Sequence, residues 1–314
     1  MNMRNIQIFI KKLWYHQTMY EKVELVIMKT IDVILPVYNQ FESIKKTMYA
    51  FSKQNVLLDM FNIIIVDDGS LDELLFQTWD DFFYKYGIKG KIIHQNNKGR
   101  AAARNAGIKF SKSDIIIFCD ADRLPKPNFI EQHLLLHSSG CEIVIGASYD
   151  YFGLSTQINE DYINWSAIYK YSRLPQYFKR ISAIYNEKGE TYSSLSWLSF
   201  LVGNSSIQRK LINDIGGFDE DFVNWGFEHF ELAYRLFEKG HKFTLNKLAA
   251  SYHIPHARSD KFYENAIINS ANLFSKKHPS IDRDVLINFI KGKIDIINAE
   301  KTLFKCEKSD FVML

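Results

Sequence analysis

Three apolar runs in the first half of this chain each stop abruptly at polar residues, and that pattern restricts the fold more than any other feature. The first is Asp32-Val33-Ile34-Leu35-Pro36-Val37, followed by Tyr38-Asn39. The second is Ile63-Ile64-Ile65-Val66, followed by Asp67-Asp68-Gly69-Ser70. The third is Ile116-Ile117-Phe118-Cys119, followed by Asp120-Ala121-Asp122. Short β-branched runs with little alternation read as strands buried on both faces, the signature of a parallel sheet covered by helices. In such sheets ligands bind outside the carboxyl ends of the strands. Two carboxylates one residue apart at such an edge suit a hard divalent cation, commonly held by one or two carboxylates together with substrate phosphates.

The intervening segments supply the helices. The pattern predicts strands over Ile31–Val37, Asn62–Val66, Lys91–His94, Asp114–Cys119 and Glu142–Ala147. It predicts helices over Glu42–Lys53, Glu73–Tyr86 and Gly99–Phe110, and another opened by Pro125, Pro127 and Asn128 and running to His137. Strands alternating with helices imply βαβ units and an α/β class, with a mostly parallel sheet flanked by helices. Beyond Tyr151 the periodicity loosens. Tyr162–Tyr185 has no clean period, Gly189–Ser194 reads as a loop, and Ser199–Ile207 holds a short apolar stretch and then Gly203-Asn204-Ser205-Ser206. Phe230–Lys239 reads as a helix stopped by Gly240, and Lys242–Leu245 and Ala249–His253 read as strands. Amphipathic helices follow from Lys261, interrupted by Pro279.

Composition excludes several classes. A net charge of +3 over 314 residues gives no electrostatic case for nucleic acid. The three cysteines, Cys119, Cys141 and Cys306, form no CxxC pair, so neither a disulfide framework nor a structural zinc site is expected, and a reducing cytoplasm is the simplest setting. No stretch reaches the roughly 18 apolar residues of a membrane span. Residues 1–29 read as an extension without signal-peptide character. Lys11, Lys12, Trp14, Tyr15 and Tyr20 fit either a helix packed on the domain or one lying on a membrane surface or partner. Met28, just before the first strand, leaves an upstream start-site extension open.

The segment from Asp32 to Glu131 resembles the nucleotide-sugar-binding half of a family 2 glycosyltransferase with the GT-A fold. The resemblance lies in Pro36-Val37-Tyr38-Asn39, Val66-Asp67-Asp68-Gly69-Ser70, Asn97–Gly107 and Asp120-Ala121-Asp122, in the family's order and spacing. The second half is similar to galactosyl- and N-acetylgalactosaminyl-transferases and to chondroitin- and hyaluronan-type polymerases. It matches them through Gly216-Gly217-Phe218-Asp219-Glu220, Asn224-Trp225-Gly226-Phe227-Glu228 and Glu231-Leu232-Ala233-Tyr234-Arg235-Leu236. The implied organisation is an extension over 1–29, a GT-A domain over 30–260 and a helical tail over 261–314. The GT-A domain divides into a nucleotide-sugar half (30–150) and an acceptor-side half (151–260). The tail leaves three uses open: packing on the domain, holding an acceptor, or forming a homodimer.

The resemblance implies a UDP-sugar donor, Mn2+ or Mg2+ as cofactor, and a glycan, lipid-linked or peptide acceptor. It implies that Asp122 and His253 ligate the metal, with His256 as the alternative histidine, and that Asp120 contacts the ion or the ribose. Asp68 would accept from the uracil N3–H with Asp67 beside it, and Pro36 and Tyr38 would line the base and ribose pocket. Arg100 and Arg104 would approach the phosphates. Gly203 and Asn204 would lie beneath the donor sugar, and Trp225 would stack on a sugar. An inverting transfer needs a base for the acceptor hydroxyl. The relatives usually carry Glu-Asp at the position of Glu228-His229, so the base is expected to be Glu228, slightly favoured as a carboxylate, or His229, with a proton acceptor elsewhere as the third option. A catalytically silent sugar-nucleotide-binding subunit is the competing class. A nicotinamide oxidoreductase fails for want of G-x-G-x-x-G after the first strand. A nucleotidyltransferase fails for want of a basic Gly-rich loop there.

Overall fold

The computed structural model describes residues 29–71, 79–223, 226–254 and 260–304. Nearly all of the 1–29 extension, part of the expected helix over Glu73–Tyr86, Trp225, His256 and Cys306 fall outside the described residues.

Among the described residues nine strands form one sheet: β1 Ile31–Val37, β2 Phe61–Asp67, β3 Lys89–His94, β4 Ile115–Cys119, β5 Arg123–Pro125, β6 Ile143–Tyr151, β7 Ser172–Arg173, β8 Asn204–Gln208 and β9 Phe243–His253. The order is β3-β2-β1-β4-β8-β6-β9-β5, with β7 paired to β6. β3, β2, β1 and β4 are parallel. β8 enters antiparallel between β4 and β6, and β6 pairs parallel with β9.

Period-2 alternation explains why the first strands are apolar throughout. Val33, Leu35 and Val37 of β1 pack with Ile63, Ile65 and Ile117 on one face, under Ile44, Met48 and Phe51 of helix Phe41–Phe51. Ile34 points the other way, with Ile64, Val66, Ile116 and Phe118, against Ala101, Ala103 and Ile108 of helix Arg100–Phe110. Both faces are therefore covered, and only the strand ends remain open to ligand.

β8 begins at Asn204, which was expected with Gly203 beneath the donor sugar. Its sequence, Asn-Ser-Ser-Ile-Gln, carries almost no apolar signal, yet it lies inside the sheet. Its buried hydroxyls find partners there: Ser205 Oγ donates to Leu201 O at 2.8 Å, and Ser206 Oγ lies 2.8 Å from His133 Nδ1 and 2.7 Å from His137 Nε2. Burial lowers the pKa values of His133 and His137 to about 4 and about 3, so both imidazoles are neutral at physiological pH. Satisfied polar groups replace apolar ones in this strand.

The C-terminal helices join the main core. Phe274 of helix Asp260–Lys277 stacks on Trp197 at 5.5 Å between ring centroids, and His278 lies 3.2 Å from Glu231. Leu286, Phe289, Ala299 and Leu303 are buried in the same cluster. No helix among the described residues is long and apolar enough to cross a membrane.

Candidate active site

A cleft of about 640 Å³ opens at the carboxyl ends of β1, β2 and β4, and is closed on its far side by helix Glu228–Glu238 and by Tyr263 of the following helix. Pro36, Tyr38, Asp68, Arg100, Arg104, Asp120, Asp122, Gly203, Glu228, His229 and His253 all line it. The fold thus gathers most of the expected residues from positions more than 200 apart in sequence.

On the nucleotide side, hydrogen bonds stitch the strand-end loops together. Asn39 N donates to Ser70 Oγ at 2.8 Å, and Leu71 N donates to Asn39 Oδ1 at 2.9 Å. Asp68 is buried and accepts from Gln95 Nε2 (2.7 Å), Lys98 N (2.9 Å) and Gly99 N (2.8 Å). A carboxylate offers about four lone-pair sites, so most of Asp68 is committed to the loop leading into helix Arg100–Phe110. Asp67 does not line the cleft. Its oxygens accept from Ser70 N at 3.1 Å and face His94 Nδ1 at 3.2 Å, which makes it a brace behind the site.

Asp122 and His253 meet as expected. His253 Nε2 lies 3.6 Å from Asp122 Oδ2, while its Nδ1 faces Asp150 Oδ1 at 3.2 Å. Asp150 is the register partner of His253 across β6–β9. Burial lowers the imidazole pKa, but the bonds to Asp122 and Asp150 outweigh it and raise the value to about 9. A carboxylate behind an imidazole is the arrangement that orients and strengthens a histidine ligand, so Asp122 and His253 fit a divalent cation. Asp120 also lines the cleft, with one of its oxygens already engaged. Its Oδ1 accepts from Arg104 Nη2 at 2.9 Å, and its Oδ2 lies 3.8 Å from Arg123 Nε. Among the described residues no three His, Cys, Asp or Glu groups converge on one ion site.

Arg104, expected near phosphates, is instead buried and spans the two halves. Nη2 reaches Asp120, and Nη1 donates to Glu228 Oε1 at 3.0 Å. The ring of Phe218 lies 5.7 Å from the guanidinium carbon. Glu228 is placed by an unusual turn. Gly226 (φ 92°) and then Phe227 (φ 71°) take left-handed backbone, and helix Glu228–Glu238 starts at the next residue. A bulky residue in that region costs about 1–3 kcal/mol, here offset by Phe227 packing on Phe230 and Phe274. Burial favours the neutral acid at Glu228, but His229, Arg104 and Arg100 hold its pKa down to about 2. Glu228 Oε2 and His229 Nδ1 face each other at 3.8 Å, and neither has a hydrogen-bond partner.

Asn204 is misplaced by the sequence reading. Its Nδ2 donates to Ala147 O and Ala249 O, both at 2.9 Å, and its Oδ1 lies 3.0 Å from His133 Nε2. Gly203 lines the cleft from a turn closed by Asn204 N donating to Leu201 O at 2.9 Å, whereas Asn204 opens β8 and its side chain is buried. Four contributors escaped the sequence reading: Arg123, Asp150, Gln40, which donates to Asp122 Oδ2 at 3.2 Å, and Tyr263. Arg123 follows the Asp-x-Asp directly and could have been noticed. Asp150 depends on strand register and could not.

Residues 32–211 match the profile of Glycosyl transferase family 2, and residues 184–257 match that of the N-terminal domain of galactosyltransferase. The chain belongs to glycosyl transferase family 2. It is 26% identical over 266 residues to validoxylamine A glucosyltransferase of Streptomyces hygroscopicus subsp. jinggangensis, covering 80% of this chain and 61% of that protein. It is 25% identical to chondroitin synthase of Pasteurella multocida, covering 71% of this chain and 24% of the synthase. The chain therefore spans less than two thirds of the length of either relative. Among solved structures, S. aureus TarS 1-349 in complex with UDP-GlcNAc superposes with TM-score 0.55 at 17% identity, over 86% of this chain and 74% of that one. GalNAc-T7 with UDP, GalNAc and Mn2+ superposes with TM-score 0.54 at 17% identity, over 84% and 55% respectively. These likenesses establish the GT-A fold.

Proposed function

We propose that this family 2 chain transfers a hexose or N-acetylhexosamine, of the gluco or galacto series, from a UDP-sugar to an acceptor hydroxyl with inversion. The observation that carries this reading is the Asp122–His253 pair, braced by Asp150, in a cleft walled by the strand-end loops. UDP-sugar and Mn2+ in complexes of proteins sharing the fold support the donor and cofactor classes. Asp122 and His253 would hold Mn2+ or Mg2+, which supplies Lewis-acid stabilisation of the leaving diphosphate. Pro36 and Tyr38 line the nucleoside end, and Arg100 adds positive charge at the first turn of its helix.

His229 is the base on this reading. Its Nδ1 faces Glu228, which leaves Nε2 toward the cleft that the ring lines. The acceptor O–H proton passes to Nε2 as the oxygen bonds to C1 and the C1–O bond to the diphosphate breaks. Glu228 Oε2 stands 3.8 Å from Nδ1, beyond hydrogen-bond reach, so Glu228 favours the imidazolium by its charge rather than by fixing the ring. Glu228 is in turn fixed by Arg104. The acceptor class stays as wide as the sequence left it: glycan, lipid-linked saccharide or peptide. The free Cys119 and Cys141 suit a reducing cytoplasm.

The test is NMR-detected release of UDP from a panel of UDP-sugars with Mn2+ and with EDTA, for wild type and Asp122→Ala. Metal-dependent release from one sugar, reduced more than about 100-fold in the variant, is the expected result, since even residues behind a metal ligand contribute 10- to 100-fold. UDP binding without turnover, acceptors supplied, favours the silent subunit. Absence of UDP binding overturns the reading.

A further inference from the structure

Arg123 is a cation in the cleft wall that nothing so far employs. It follows Asp122 in sequence and begins β5, where it is the register partner of His253. Its side chain is largely buried, and its Nε and Nη1 are shut off from solvent with no hydrogen-bond acceptor. The nearest carboxylate oxygen, Asp120 Oδ2, stands 3.8 Å away, beyond hydrogen-bond reach. The other oxygen of Asp120 already belongs to Arg104. The room Arg123 occupies is kept by Gly203: a methyl group there would overlap Arg123 Nε and crowd Asp120 Oδ2 at 2.9 Å.

Buried guanidinium donors without acceptors carry a desolvation cost that an incoming anion recovers. The anion's place follows from the neighbours. Cross-strand register partners lie side by side on one face of a sheet, so Arg123 stands next to His253, half of the pair that fits the divalent cation. A planar fork of N–H donors matches a phosphate better than a neutral sugar hydroxyl. We propose that Arg123 is a diphosphate-binding residue: it contacts the donor's diphosphate beside the Asp122–His253 pair and supplies part of the positive charge that holds the leaving group. This rests on the UDP-sugar reading above.

The experiment is calorimetric titration of UDP and of uridine into wild type, Arg123→Gln and Arg123→Lys, in Mn2+ and in EDTA, with folding checked by circular dichroism. In EDTA wild type should bind UDP about tenfold or more tighter than uridine. Arg123→Gln should weaken UDP about 10- to 100-fold, the range of a hydrogen bond to a charged group, and leave uridine unchanged. Arg123→Lys, which keeps the charge and loses the fork, should fall between. Equal loss for UDP and uridine, or no loss for either, overturns the proposal. Should the Gln variant fail to fold, the Lys variant and the wild-type UDP-to-uridine ratio still decide it. A wild type that binds neither compound overturns the donor reading itself, and so separates the two failures.

Discussion

Asp68 and Glu228 stand on opposite walls of one cleft, both buried, and their oxygens are spent differently. Asp68 accepts from Gln95, Lys98 and Gly99, within about thirty residues of itself in the next strand-end loop. Glu228 is held by Arg104, 124 residues away, and through it is joined to Asp120. The nucleotide wall is thus a set of neighbouring loops clipped to one another. The acceptor wall is a line of charges, Asp120–Arg104–Glu228–His229, that exists only when both halves are folded together. Residues of one motif can be spent differently: Asp67 braces the site from behind while Asp68 lines the cleft, and Arg104, within the Asn97–Gly107 motif, ties Asp120 to Glu228.

The contrast can be broken most severely at its reactive end. His229→Ala should lower kcat by about 10²- to 10⁴-fold, the usual contribution of a general base, with little change in the KM for donor. His229→Asp should restore part of the rate and extend activity to lower pH, since a carboxylate stays unprotonated at lower pH than an imidazole does. Loss in Glu228→Gln with full activity in His229→Ala would move the base to Glu228.

Cutting the line at its centre tests whether it joins the halves. Arg104→Met leaves Glu228 and Asp120 without their main partner and should cost about 3–5 kcal/mol in urea unfolding, the range for removing one member of a buried pair. Adding Glu228→Gln should recover part of that loss. Additive losses would mean that the two residues are not coupled.

Asn204→Ala probes the back of the sheet. It strips bonds from Ala147 O, Ala249 O and His133, and should destabilise by about 1–3 kcal/mol for each group left unsatisfied, with donor KM unchanged. A raised KM at full stability would return Asn204 to the donor site.

The smallest effect is on pH dependence. His253 has a folded-state pKa raised to about 9 from 6.5. The stability it contributes is complete below 6.5 and fades as pH rises through about 9. In EDTA the melting temperature should fall across that window, and less so in Asp150→Asn. Mn2+ must displace that proton, so its affinity should climb over the same window by up to about tenfold per pH unit. Glu228 acts in the opposite sense: its contribution is complete above 4.5 and is lost as pH falls toward about 2.

The sequence by itself determined the strands β1, β2 and β4, the covered sheet and the position of Asp122, because each is written in local terms: apolar runs, turn residues and a carboxylate at a strand end. The family resemblance added His253, which the fold sets beside Asp122, with His256 outside the described residues. Only the tertiary structure decided which polar oxygens and nitrogens are already spent. Asn204 was lost to the reading because β8 is a strand built from satisfied polar residues, and Asn204 is its buried first residue rather than part of the turn at Gly203. Arg104 was expected at phosphates because its charge is local information, whereas its partners come from β4's end and from helix Glu228–Glu238. Asp150 behind His253, and Tyr263 from a helix expected to lie in a separate tail, are set by register and packing between distant segments. A residue type can be read from one position. Its free valence is a property of everything packed around it.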